Sequence, residues 1–190
     1  MSDLLPYLQV AIYGLTLGGV YALMASGLTL VFGVMRIVNL AHSAFIIVAA
    51  YLSYEAFIEF GIDPMLSIAI NMPVMFIFGV IIYRVFLARD VENPRYAEIT
   101  VLLTFALALM TEGVLGYIFT GTNRSITTSY TTSAFLVDPF FISGDDILII
   151  PKAYLYALLM SIALITLVWA FLQFTRMGYA IRATTQNRAA

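Results

Sequence analysis

Five runs of apolar residues dominate this chain: 6–32, 43–57, 65–85, 99–120 and 153–174. A helix rising 1.5 Å per residue needs about 20 apolar residues to cross the hydrocarbon core of a bilayer. Four of the runs reach that length, and the second reaches it when extended through Phe60. Breakers separate them: "GIDP" at 61–64, "ARDVENPR" at 88–95, and a Ser/Thr-rich stretch from Gly121 to Pro151. The runs are continuously apolar rather than alternating, which argues against a β-barrel. Composition agrees, since 62% of residues are hydrophobic and 11% charged, against about 45–50% and about 25% in soluble domains. The expectation is an all-α, polytopic transmembrane bundle: five spanning helices in a single domain over residues 1–190, with a broken-helix region near 33–42.

Several functions fall away. With no cysteine and one histidine, the chain has no thiol nucleophile and no thiolate or histidine-rich metal site. HExxH and GxSxG are absent. A net charge of −2 gives no sign of a nucleic-acid partner. "MSDLLPYLQ" lacks a basic n-region and a small-residue cleavage site, so the first helix is expected to remain in the mature protein.

Basic residues concentrate in cytoplasmic loops. With the N-terminus outside, seven arginines (36, 84, 89, 95, 176, 182 and 188) fall inside, against Arg124 and Lys152 outside. The expected orientation is N-outside, C-inside.

Polar residues within the spans carry the functional signal. In the first span Gly14, Gly18, Ala22 and Ser26 recur every four residues, a stripe that lets helix backbones approach closely in lipid. Packing is its plain reading, while Ser26 and Thr29 are also able to line a pathway. In the third span Asn71 accompanies Pro73, which removes a backbone hydrogen bond and favours a kink. Glu112 lies within the fourth span. An ionisable group there marks a functional site by default; the alternative is a carboxylate near enough to the outer interface to reach water. Between 121 and 150, "AFLV" and "ILII" flank the turn-like "SGDD", so this stretch is expected to form a folded cap. "NRS" at 123–125 matches the glycosylation pattern and is read as chance.

The stretch "GVMRIVNLAH" places Arg36, Asn39 and the only histidine, His42, in an apolar neighbourhood. Gly33 is expected to end the first helix and Asn39 to cap the next. Residues 34–41 then form either a broken-helix crossing beside a substrate pathway or a tight cytoplasmic turn with Arg36 reaching lipid phosphates. Non-helical backbone at membrane depth survives only where protein or a cavity surrounds it, and a helix N-terminus there offers N–H donors to an anionic group.

With its flanks, "GLTLGGVYALMASGLTLVFGVMRIVNLAHSAFIIVAAYLSY" resembles the N-terminal signature of the branched-chain amino acid ABC importer permeases. The "SGLTLVFG" run, the "MRIVNLAH" segment and the "AAY" ending carry it, and it continues into "AEITVLLTFALALMTEG" and "TRMGYAIRATTQNRAA". The chain resembles the N-terminal two-thirds of such a permease, with an apparent C-terminal truncation. It departs from the family at Ser43, where glycine is usual, and at Asn187 and Arg188, where an acidic residue is frequent.

The resemblance implies an inner-membrane subunit of a bacterial or archaeal importer, without cofactor or catalytic residues of its own. Its implied partners are a second homologous permease, two cytoplasmic ATP-binding subunits, an external solute-binding protein and membrane lipid. No GxxxxGK[ST] loop is present, so ATP chemistry must come from elsewhere. On the residues themselves, the candidate pathway residues are Ser26, Thr29, Arg36, Asn39, His42 and Glu112. A coupling helix for the ATPase falls on Gly178, Arg182, Ala183 and Thr184, with Gly178 as a helix stop before it. Asp138, Asp145 and Asp146 are candidate contacts for the binding protein. Relatives that carry urea, amides or other amino acids keep the substrate open. A secondary transporter would need inverted repeats, and the five spans show none.

Overall fold

The computed structural model describes residues 4–35, 37–91, 93–137 and 147–186. Arg36 and Asp138, Asp145 and Asp146 lie outside the described residues. The elements are α1 (Leu4–Met35), α2 (His42–Phe60), α3 (Pro64–Ile82), α4 (Tyr96–Phe119), β1 (Ala134–Val137), β2 (Leu148–Pro151), α5 (Lys152–Phe174) and α6 (Arg176–Gln186). Five helices are long and apolar enough to cross a membrane: α1, α2, α3 with its extension to Leu87, α4 and α5. They match the five expected spans. The chain forms two compact units, Met35–Ile126 and the pair Met1–Val34 with Thr127–Ala190.

In the unit Met35–Ile126, "GIDP" makes a sharp reversal. Gly61 takes the left-handed conformation at φ 65°. Its N–H donates to Phe57 O at 3.0 Å, the αL closure of a helix end, while the Ile62 N–H donates to Ala56 O at 3.1 Å. Asp63 then caps α3 by accepting the Met65 N–H at 2.8 Å, and Pro64 occupies the first helical position, where its missing N–H costs nothing. Residues α2 and α3 need for contact are thereby held antiparallel: the Phe45 and Phe78 rings meet edge-to-face with centroids 5.2 Å apart. Ser53 Oγ takes hydrogen bonds from Asn71 Nδ2 at 2.6 Å and Ser67 Oγ at 3.1 Å. Asn71 is therefore interhelical glue, which lipid cannot replace. Pro73 lies inside α3, which remains helical around it. One π-turn, Tyr83–Leu87, and a short 3-10 turn follow α3.

α4 runs beside α2 in the same direction. Tyr96, Thr100, Thr104 and Leu107 form its buried stripe, the i, i+4, i+8, i+11 spacing of one helix face. Tyr51 stacks on Phe119 at 3.9 Å between centroids.

In the other unit, β1 and β2 pair antiparallel, with Ala134 opposite Pro151 and Val137 opposite Leu148. The expected cap is thus a two-stranded hairpin built from the two β-prone runs. Gln9 of α1 holds β2: its side-chain amide donates to Ile149 O and accepts the Ile149 N–H at 3.0 Å. That amide imitates a third strand, and nothing in the apolar pattern announced it. In α1 Gly19 lies close to α5, where a Cβ would overlap the Leu158 side chain; Gly14 and Gly18 face open space. The close approach is therefore made one position off the stripe read from the sequence.

α5 ends and α6 begins at Thr175, whose backbone is extended (φ −99°, ψ 153°). Its hydroxyl accepts the Gly178 N–H at 3.0 Å, the N-cap arrangement. Gly178 is consequently not a helix stop; it is the third residue of α6. Glycine is required there because a Cβ would strike the Leu172 carbonyl and backbone.

Candidate functional site

The break between α1 and α2 is shorter than expected. α1 continues through Gly33 to Met35, and α2 starts at His42. The cap also differs. The N-cap position is Ala41, without a side-chain bond, and Asn39 acts two residues earlier. Its Oδ1 accepts the Ala41 N–H at 3.0 Å and its carbonyl accepts the His42 N–H at 3.3 Å. This is an Asx turn, the local bond for which a short amide side chain is suited. It aims the chain into α2.

A residue that the sequence reading missed pins this turn. Thr104 Oγ1 accepts the Leu40 N–H at 3.2 Å, and its proton faces the carbonyls of Val101 at 3.1 Å and Val38 at 3.4 Å. Ile37, Ala41 and Thr104 are all at most 2% exposed. The turn is thus anchored by Ile37 and Ala41, while the side chains of Val38 and Leu40 between them are exposed. Thr104 is eight residues into α4, so the turn sits about 12 Å from the start of that helix. A threonine in an apolar run gives no such signal by itself, because its usual partner is its own helix.

Above the turn, a cavity of about 420 Å³ opens between α2 and α4. Ser43, Ala44 and Ile47 line it from α2, and Ala108, Glu112 and Leu115 from α4. Ser43 and Ala44, in the first turn of α2, form one end of its lining. Among the described residues Glu112 has no hydrogen-bond or ion-pair partner. The cavity thus combines a carboxylate, a helix N-terminus and aliphatic walls. Such a set suits a small molecule that carries both a cationic and an anionic group.

The expected pathway residues fall in both units. Asn39, His42 and Glu112 belong to this unit, with His42 half-buried at the start of α2. Ser26 and Thr29 belong to the other unit, where they line an apolar groove of about 360 Å³ against α5. Their hydroxyls donate to their own helix, to Leu23 O at 2.7 Å and Ala25 O at 2.8 Å. Among the described residues no group of three or more His, Asp or Glu side chains is placed to hold a metal ion.

On α6, Ala180, Ala183 and Thr184 are exposed together. Arg182 instead turns back, donating to Gln173 Oε1 at 2.8 Å and stacking on Tyr179 at 4.6 Å from its centroid.

Comparison with known proteins identifies relatives of this chain. The permease protein BraD of Pseudomonas aeruginosa, named for high-affinity branched-chain amino acid transport, is 29% identical over 96 residues, or 50% of this chain and 31% of that protein. The corresponding LivH of Escherichia coli K12 is 39% identical over 65 residues, 33% of this chain and 21% of the relative. A probable LivH permease of Methanocaldococcus jannaschii is 28% identical over 168 residues, 87% of this chain and 50% of the relative. The matched part of this chain therefore spans at most half the length of these relatives. No solved structure matches the chain significantly. The family described as the permease component of the branched-chain amino acid transport system matches residues 10–190, nearly the whole chain from α1 to beyond α6, and the protein is a member of it.

Proposed function

We propose that this chain is a permease subunit of an ATP-driven importer for branched-chain amino acids. One observation carries the reading: Glu112, a carboxylate without a partner among the described residues, lines a cavity with aliphatic walls inside a spanning segment. An ionised carboxylate is costly at that depth unless something pairs with it. An amino acid's ammonium supplies the pair, its carboxylate faces the first turn of α2, and its branched side chain lies against Ile47 and Leu115. Those walls favour leucine, isoleucine or valine over urea or a simple amide, which bring no apolar surface to bury.

The partners follow from the family: a second permease, two ATP-binding subunits and an external solute-binding protein. With the N-terminus outside, α6 lies on the cytoplasmic side and offers Ala180, Ala183 and Thr184 as a small-residue face for the ATPase. The hairpin lies outside, and the connection bearing Asp138, Asp145 and Asp146 receives the binding protein. Uptake of labelled leucine by the complete importer in proteoliposomes tests the reading. Glu112→Gln, which keeps shape and removes charge, is expected to cut ATP-dependent uptake at least about tenfold while the complex still assembles. Undiminished uptake would remove Glu112 from the pathway.

A further inference from the structure

A second cavity adjoins the first. Of about 300 Å³, it shares Tyr51 and Gly121 with the Glu112 cavity and is otherwise lined by Ala50, Tyr54, Thr122, Asn123 and Arg124. Its chemistry is opposite in sign. α4 ends at Phe119, and Thr120 and Gly121 turn in left-handed conformations at φ 58° and 65°. This tight reversal folds Arg124 back over the helix end. The guanidinium carbon lies 5.6 Å from the Tyr54 ring centroid and 5.9 Å from that of Phe119, and Nη1 donates to the Tyr54 hydroxyl at 3.5 Å. The Tyr54 hydroxyl, as its hydrogen-bond partner, holds the Arg124 pKa above its ordinary value. Among the described residues no carboxylate pairs with Arg124. A cation braced on aromatic faces, with donors left over and Asn123 and Thr122 beside it, is arranged for an anion; Glu55 acts on it through space without bonding to it.

We propose that this outer cavity is a carboxylate station: Arg124, positioned by Tyr54 and Phe119, binds the carboxylate of an amino acid before the molecule enters the Glu112 cavity. This rests on the amino-acid reading given above. The two charges act in sequence, because Glu112 and Phe119 are seven residues apart on α4, about 10 Å along the axis, whereas the ammonium and carboxylate of one α-amino acid are adjacent on a single carbon. Arg124's planar fork suits two-point binding of a carboxylate. Tyr51, common to both cavities, forms the wall past which the molecule moves.

The absence of cysteine permits a direct test on the assembled importer without its binding protein. Thr122→Cys reports on the outer cavity and Ala108→Cys on the inner one, each read by its rate of modification with a small aqueous thiol reagent. Leucine is expected to slow modification at both positions several-fold. 4-Methylpentanoate, which has the carboxylate but no ammonium, is expected to protect Thr122→Cys, and isopentylamine is not. Adding Arg124→Gln should raise the concentration of 4-methylpentanoate needed for half-protection about tenfold or more, with Arg124→Lys intermediate because it keeps charge but loses the fork. Protection by 4-methylpentanoate that survives Arg124→Gln would overturn the station. So would modification rates that follow the bilayer's anionic lipid content and ignore the carboxylate, since Arg124 would then serve lipid phosphate. Leucine uptake by the unmodified importer separates the two readings. Uptake without outer-cavity protection removes the station alone; carboxylate protection without uptake of any branched-chain amino acid removes the substrate reading alone.

Discussion

Thr104 on α4 holds the backbone of Leu40 directly, its hydroxyl accepting the Leu40 N–H at 3.2 Å. This bond joins a spanning helix to the irregular turn about two helical turns inside it. Thr104→Val keeps the shape but leaves the part-buried Leu40 N–H without its partner, a loss of about 1 kcal/mol. Lower thermal stability of the detergent-solubilised complex and reduced uptake are expected together, whereas Thr104→Ser should retain both. A valine variant with native stability and uptake would show that the turn does not depend on this bond.

Asn39 acts on the same turn from the chain side. Asn39→Leu removes the acceptor for the Ala41 N–H and should sharply reduce uptake while the ATPase still co-purifies. Asn39→Asp keeps an acceptor and should be much the milder change. Equal uptake losses in the two variants would mean that the amide nitrogen, not the Asx turn, matters.

The Ser53–Ser67–Asn71 cluster is structural. Asn71→Leu is expected to lower stability by roughly 1 kcal/mol, with a coupling to Ser53→Ala near the ~0.6 kcal/mol typical of interhelical bonds in membranes. Transport by the surviving complex should be close to normal. A double-mutant cycle on unfolding in mixed micelles measures the coupling, and strict additivity would dissolve the cluster as an energetic unit.

At the α5–α6 elbow, Gly178→Ala forces a methyl group into the Leu172 backbone. It should misplace α6, so that ATP hydrolysis no longer drives uptake. Ala183→Leu, on the exposed small face, should produce the same uncoupling or loss of the ATPase without lowering the bundle's stability. Arg182→Ala should do less, because its contacts, Gln173 and Tyr179, are within its own unit. Parallel ATPase and uptake assays decide. Coupled transport by the Ala183→Leu variant would take this face out of the ATPase contact.

The sequence by itself determined the solvent, and with it the five spans, because transfer of long apolar runs into lipid outweighs any alternative pairing and needs no partner to be specified. Local chemistry was legible for the same reason of short range: "GIDP" closes α2 and caps α3 within ten residues, and two β-prone runs beside "SGDD" meet as a hairpin. Relationships across the chain were not legible. Thr104 and Leu40 are 64 residues apart, and Gln9 and Ile149 are 140 apart; each bond joins groups whose local alternatives look the same in the sequence. Gly19 rather than the Gly14–Gly18 stripe approaches α5, and Gly178 is set by the backbone of Leu172, because close packing depends on where another segment passes. Glu112 stood out as a charge in an apolar run, but only the tertiary structure set it in a cavity beside the oppositely charged surroundings of Arg124. A charge declares its cost locally, while its partner is chosen by the fold.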